Sequence, residues 1–263
     1  MKTQIRIPAV AGSFYPADRS ELVESIRTLL GQSHCTQAQK PRAIIAPHAG
    51  YIYSGPIAAS AYQCLANYRD QYKTVILLGP SHRVALRGMA LSHADFFATP
   101  LGDIPIDQTL NRKLQTLPQV DYLDEAHLYE HSLEVHLPFL QSILGAFQLV
   151  PIVVGDASPE QVAGVLDSLA SDPTCLIVVS TDLSHFLDYG SAQQRDKRTA
   201  EHILDLDYTH IDYHDACGRD PLSGVLLWAR RHQLDIQLLD LRNSGDTAGS
   251  HDRVVGYASF MIS

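Results

Sequence analysis

The stretch Thr74-Val75-Ile76-Leu77-Leu78-Gly79-Pro80-Ser81-His82 reads as a buried strand that breaks into a turn and delivers a histidine. Four aliphatic residues follow Thr74 without a polar interruption. That is the pattern of a strand covered on both faces, and Gly79-Pro80 then punctuates it. The same order recurs twice. Ala43–Ala46 runs into Pro47-His48, and 176–180 runs into Thr181-Asp182-Leu183-Ser184-His185. A fourth apolar run covers 149–154, and 236–241 and Val254–Ile262 read as later strands.

Between the strands lie segments with helical starts. Asp18 and Glu21 stand at capping-box spacing ahead of Leu22, Ile26 and Leu29. Ser158-Pro159 precedes Val162, Val165, Leu166 and Leu169, with proline at the first helical position. Ser191 with Gln194 is expected to open another helix, Asp220-Pro221 to open 222–231, and Ser54-Gly55-Pro56 to start an Ala-rich helix over 57–68. Strands alternating with helices predict an α/β fold. We expect a single domain over residues 1–263, with a central mostly parallel or mixed sheet flanked by helices.

In open α/β sheets the ligand crevice forms at the carboxyl ends of the strands. If the three strands are parallel, His48, His82 and His185 arrive at one rim. Cys217 is a fourth candidate, in Asp215-Ala216-Cys217-Gly218-Arg219-Asp220-Pro221. It precedes an expected helix start and adjoins Arg219, and both favour thiolate over thiol. Cys64 and Cys175 read as small buried hydrophobes, and Cys35 lies in a polar loop. The segment His131-Ser132-Leu133-Glu134-Val135-His136 is HxxExH, which differs from both zinc-peptidase spacings. His131 and Glu134 are read as pocket-lining or structural. There is no GxGxxG, Walker or GxSxG pattern.

The chain has 263 residues, 20 basic against 29 acidic, and a formal charge of −9. That balance lacks the basic footprint of a nucleic-acid-binding protein, and no charge run points to an anionic membrane. The four cysteines show no CxxC pair and are sparse for a disulfide framework, so a reducing, cytoplasmic setting is expected. The first residues lack the apolar core of a signal peptide.

Several blocks together carry a family resemblance. They are Arg6-Ile7-Pro8-Ala9-Val10-Ala11-Gly12-Ser13-Phe14-Tyr15-Pro16, Ala46-Pro47-His48-Ala49-Gly50-Tyr51 through Ser54-Gly55, Leu78-Gly79-Pro80-Ser81-His82, Glu130-His131-Ser132-Leu133-Glu134, Ser180 through His185, and Cys217-Gly218-Arg219. In this order they resemble the Memo family, whose prokaryotic members are also known as AmmeMemoRadiSam system protein B. The resemblance implies a fold shared with class III extradiol (LigB-like) non-haem iron dioxygenases. It implies a metal pocket with His48, His82 and Cys217 as ligands and with His185 and Asp182 as acid/base and orienting groups. Tyr15, Tyr53 and His131 are expected to line the pocket. A thiolate in place of the dioxygenases' carboxylate makes iron the first choice and copper the second, admits zinc, and does not support extradiol cleavage. The expected activity is that of a metal-dependent oxidoreductase on an unknown small molecule. The alternative is a non-catalytic module that recognises a peptide or small ligand. The family name further implies functional association with radical SAM and AMMECR-type proteins.

Overall fold

The computed structural model describes residues 3–36, 39–169 and 172–263. A nine-stranded sheet forms its centre. Four strands, Ala43–Ala46, Cys175–Ser180, Thr74–Pro80 and Gln148–Val154, lie side by side in that order and are all parallel. The strand Val254–Ile262 pairs antiparallel with Ala43–Ala46 and carries Ile236–Asn243 and His185–Leu187 on its far side. Met89–Leu91, antiparallel to Gln148–Val154, and Val120–Tyr122 complete the opposite edge. A separate three-stranded sheet joins Ile5–Arg6, Phe96–Thr99 and Gly102–Pro105.

The continuous apolar runs have the expected cause. Ile45, Ile76, Leu78, Ile177 and Val179 enter a core beneath the helices Pro159–Leu169 and Arg219–Arg231. Their alternating neighbours Ile44, Val75, Leu77, Leu176 and Val178 enter a second core on the other face. There the helices Arg19–Gly31, Tyr51–Gln63 and Leu137–Leu144 supply the cover. Each central strand is buried on both faces, so both phases of the side-chain alternation are hydrophobic.

Helix starts differ from expectation in three places. Asp18 does cap Arg19–Gly31, accepting from the Ser20 and Glu21 amides. Ser54-Gly55-Pro56, however, lies inside the helix Tyr51–Gln63, which ends before the expected 68. Its first turn is fixed by the N-terminal segment, since the Tyr51 amide donates to the Phe14 carbonyl. Pro56 therefore removes one helical hydrogen bond, to Ile52, a residue 68% exposed. The helix Tyr189–Leu204 is capped by Asp188 rather than Ser191. Arg219–Arg231 begins at Gly218, two residues before the expected Asp220.

The cysteine reading also needs correction. Cys35 and Cys64 are joined in a disulfide, with Cα atoms 5.0 Å apart. Cys64 caps a helix and Cys35 lies 29 residues earlier, a pairing that sequence spacing cannot disclose. Cysteine usage therefore gives no argument for a reducing compartment. No helix among the described residues is long and apolar enough to cross a membrane.

Candidate metal centre

Because the strands carrying them are parallel neighbours, His48, His82 and the Thr181–His185 segment emerge at one edge of the sheet. The ligand atoms of His48, His82 and Cys217 lie within 4.8 Å of one another. The ring centroids of His48 and His82 are 5.1 Å apart, and His48 Nε2 is 3.5 Å from Cys217 Sγ.

The partners of the two imidazoles fix which nitrogen is free. His48 Nδ1 lies 2.6 Å from Ser180 Oγ, whose hydroxyl proton is already donated to the Ser132 carbonyl at 2.6 Å. Ser180 must therefore accept from His48 Nδ1–H, which leaves the Nε2 lone pair open. His82 Nδ1 faces Glu130 Oε1 at 2.9 Å, and a carboxylate can only accept. Its Nε2 is likewise free. Such hydrogen-bonded backing orients a metal-binding imidazole and raises its basicity.

Glu130 is buried and accepts three further hydrogen bonds, from the His82 amide at 2.5 Å, the Ser132 amide at 2.9 Å and the His131 amide at 3.0 Å, while the His131 ring nitrogen stands 3.4 Å away without a hydrogen-bond partner. Burial pushes its carboxyl up, but the His82 ring and the surrounding amides outweigh that and hold it at about 2. Burial and the neighbouring imidazoles hold His48 well below the usual histidine range. Burial likewise lowers His131 to about 4.

Cys217 reaches the site by docking its backbone on the 181–182 turn. Its amide donates to the Asp182 carbonyl at 3.2 Å, and the Asp182 amide points back at Sγ at 3.3 Å. Gly218 permits this approach, because a Cβ there would meet the Ser180 carbonyl oxygen at 2.5 Å. The expected activation of the thiol by Arg219 is not found. That guanidinium bonds the Ile211 carbonyl and Asp220 and covers the Tyr213 ring. Burial and the Asp182 carboxylate push Cys217 up to about 12. A half-buried thiol beside two unprotonated imidazole nitrogens and a buried carboxyl is a donor set that a divalent cation fits.

The remaining predicted residues fall into two groups. Asp182 is buried, accepts the His48 amide at 2.8 Å through Oδ1 and places Oδ2 3.9 Å from His48 Nε2. Burial raises its carboxyl against the opposing pull of His185. His185 is exposed at the rim, and its Nδ1 donates to the Leu183 carbonyl at 2.8 Å. His131 stacks on His82 at 4.8 Å, lies 5.4 Å from His48 and touches Phe14. Tyr53 is half-buried, and burial followed by the charges of Asp182 and Tyr53 raises the Tyr257 phenol. Tyr15, in contrast, is buried with its hydroxyl given to Glu134 at 2.6 Å. Glu134 also pairs with Arg6 and accepts the Ala9 and Val10 amides, so it pins the N-terminal segment. His136 bonds Tyr62 at 2.6 Å. The HxxExH residues thus diverge to three destinations, unlike a peptidase zinc site. A cleft of about 200 Å³ opens beside Cys217, lined in part by Ser81, Val84, Asp156, Tyr213 and Asp220.

Glu130 and Ser180 went unread as site residues. Their only signals in sequence are a carboxylate directly before His131 and a hydroxyl at the end of an apolar strand.

Fold and site together define an α/β protein with two histidines and a cysteine clustered at the carboxyl edge of a parallel sheet. Residues 6–261 match the family model described as Memo-like protein, and the chain belongs to that family. It is 36% identical to a MEMO1 family protein of Sulfolobus acidocaldarius, over 97% of this chain and 98% of the relative. It is 35% identical to a MEMO1 family protein of Thermotoga petrophila, over 98% and 99% respectively. A crystal structure of an uncharacterized Escherichia coli K12 protein superposes with a TM-score of 0.57 at 14% identity, covering 86% of this chain and 100% of that one. That likeness concerns the fold alone.

Proposed function

We propose that this chain is a mononuclear metal protein in which His48, His82 and Cys217 hold the ion, and that it performs redox chemistry on a small molecule. The observation that carries the reading is the convergence of three donors within 4.8 Å, two of them imidazoles whose Nδ1–H groups are engaged, so that Nε2 is left as the ligating atom. A two-histidine, one-thiolate set suits iron first and copper second, and admits zinc. When bound, such an ion supplies Lewis acidity and, for iron or copper, one-electron chemistry toward dioxygen.

The chain's own residues supply the rest. Ser180 and Glu130 hold the two imidazoles in the Nδ1–H tautomer. His185, exposed at the rim, exchanges a proton with substrate there. Asp182 holds the His48 backbone and accepts a proton or a substrate hydrogen bond within the pocket. His131 and Tyr53 form its wall, and Tyr15 contributes through Glu134, which seats the N-terminal segment bearing Phe14 against His131.

The test is elemental analysis of untagged protein purified without oxygen, beside Cys217→Ala and His48→Ala. We expect iron or copper near one per chain in the wild type, lost in both variants. His185→Ala should retain the metal and lose dioxygen uptake. A wild type that stays metal-free after anaerobic reconstitution, or a Cys217→Ala that keeps a full complement, rejects the proposal. The first of those outcomes favours a module that binds a peptide or small ligand without turnover.

A further inference from the structure

A second cluster lies away from this pocket, where the helix Tyr189–Leu204 ends and the chain turns toward Cys217. His202 sits in the last helical turn, Asp207 in the turn that follows, and His210 in the 3-10 helix Tyr208–His210. Their ligand atoms lie within 4.8 Å of one another. The turn is tight: Leu206 adopts a left-handed φ of 53°, and the Asp207 amide returns to the His202 carbonyl at 2.8 Å. This brings one oxygen, Asp207 Oδ2, to 2.6 Å from His210 Nδ1 and 3.6 Å from His202 Nδ1. The two imidazole rings have centroids 5.3 Å apart and planes 16° from parallel. Thr209 donates to the other carboxylate oxygen at 2.6 Å, which orients the group.

We propose that His202, Asp207 and His210 form a second metal site for a borderline divalent ion of the zinc class, and that the ion staples the segment delivering Cys217. Two imidazoles and one carboxylate are the donors such ions prefer, whereas magnesium and calcium take oxygen ligands. Bonds of about 2.0–2.1 Å in a tetrahedron put donor atoms roughly 3.4 Å apart. The His202–Asp207 separation of 3.6 Å already matches that spacing. On the His210 side the ion replaces the shared proton, and the ring backs away by less than about 1 Å on that same geometry. His210 can make this movement because its side chain is 67% exposed. The remaining position opens to solvent, so the site holds its ion as a structural clasp without enclosing it.

The site is independent of His48, His82 and Cys217, and its test uses the full-length chain with that centre removed. His48→Ala/His82→Ala/Cys217→Ala protein, which also breaks the neighbouring group of His82, Glu130 and His131, is titrated with Co2+ and then with Zn2+. We expect one equivalent of Co2+ with visible d–d absorption, displacement by Zn2+, and a rise in Tm on Zn2+ addition. Adding His210→Ala, and separately His202→Ala, should weaken binding by about tenfold or more and abolish the Tm rise. The exposed His210 makes that variant a folding-neutral control, checked by an unchanged Tm without metal. No stoichiometric Co2+ in the parent, or binding unaltered by His210→Ala, overturns the proposal.

Discussion

Glu130→Gln is the sharpest test of how the candidate metal centre is held. The carboxylate is acceptor-only and serves donors on both oxygens: the His82 ring and the His131 and Ser132 amides on Oε1, and the His82 amide on Oε2. A glutamine keeps the shape but turns one of these oxygens into an N–H group facing a donor. The better orientation gives its oxygen to the three-donor side and sets its amide against the His82 N–H, leaving a part-buried backbone donor unpaired, at the lower end of about 1–3 kcal/mol. Linkage gives a second magnitude. A carboxyl moved from 4.5 to about 2 corresponds to roughly 3 kcal/mol of stabilisation at neutral pH. The two figures describe overlapping interactions, so the expected loss is about 2–4 kcal/mol. Urea unfolding of metal-free wild type and variant at pH 7 measures it. Because the folded carboxyl is depressed, the advantage of wild type is complete above 4.5 and shrinks as pH falls toward 2. Metal affinity should fall about 10–100-fold through the loosened His82. A variant with wild-type stability and metal affinity would refute the view that Glu130 orients His82.

His127 and His136, buried and held by desolvation at about 4 and about 3 against an ordinary 6.5, take up protons only in the unfolded chain over the window from 6.5 to 4. Stability should therefore drop on acidification through that window, by up to about 2.7 kcal/mol per pH unit from this pair; a flat profile would show that they titrate normally. Cys35 and Cys64 close a loop with a sequence separation of 29. The chain-entropy relation gives about 3.5 kcal/mol for such a loop, so Cys35→Ser should lower the urea midpoint, and an unshifted melt under oxidising conditions refutes it. A Cβ on Gly224 would lie 2.2 Å from Val162 Cγ1 where two helices cross. Gly224→Ala should then cost about 1–3 kcal/mol, partly recovered by Val162→Ala, and additivity of the two changes would contradict the contact.

The legible part of this protein was its sheet. Apolar runs ending in turn residues marked the four parallel strands, and the carboxyl-end rule then gathered His48, His82 and His185 at one rim, while Asp182 entered through the family resemblance. Cys217 stood out by its context, of which one half holds: it directly precedes the cap of the helix Arg219–Arg231, but Arg219 is occupied by Ile211, Asp220 and Tyr213. A neighbour in sequence says nothing of where a long side chain turns. Glu130 and Ser180 were illegible for a related reason. Glu130 acts on His82 across 48 residues, and Ser180 on His48 across 132. Pairings at that distance exist only once the strand order is known, and strand order does not follow from periodicity.

That strand order explains why a serine can support the centre. The strand Cys175–Ser180 lies between Ala43–Ala46 and Thr74–Pro80, so its last residue stands between the strand ends that deliver His48 and His82. The Ser180 hydroxyl joins His48 Nδ1 to the Ser132 carbonyl, and Ser132 follows the Glu130 that holds His82. One chain of hydrogen bonds therefore sets the tautomer of the first imidazole and braces the segment that sets the second. The next residues, Thr181 and Asp182, receive Gly218 and Cys217. The two histidines follow strand ends, His48 buried and His82 exposed, while the sulfur arrives on a loop docked against the 181–182 turn.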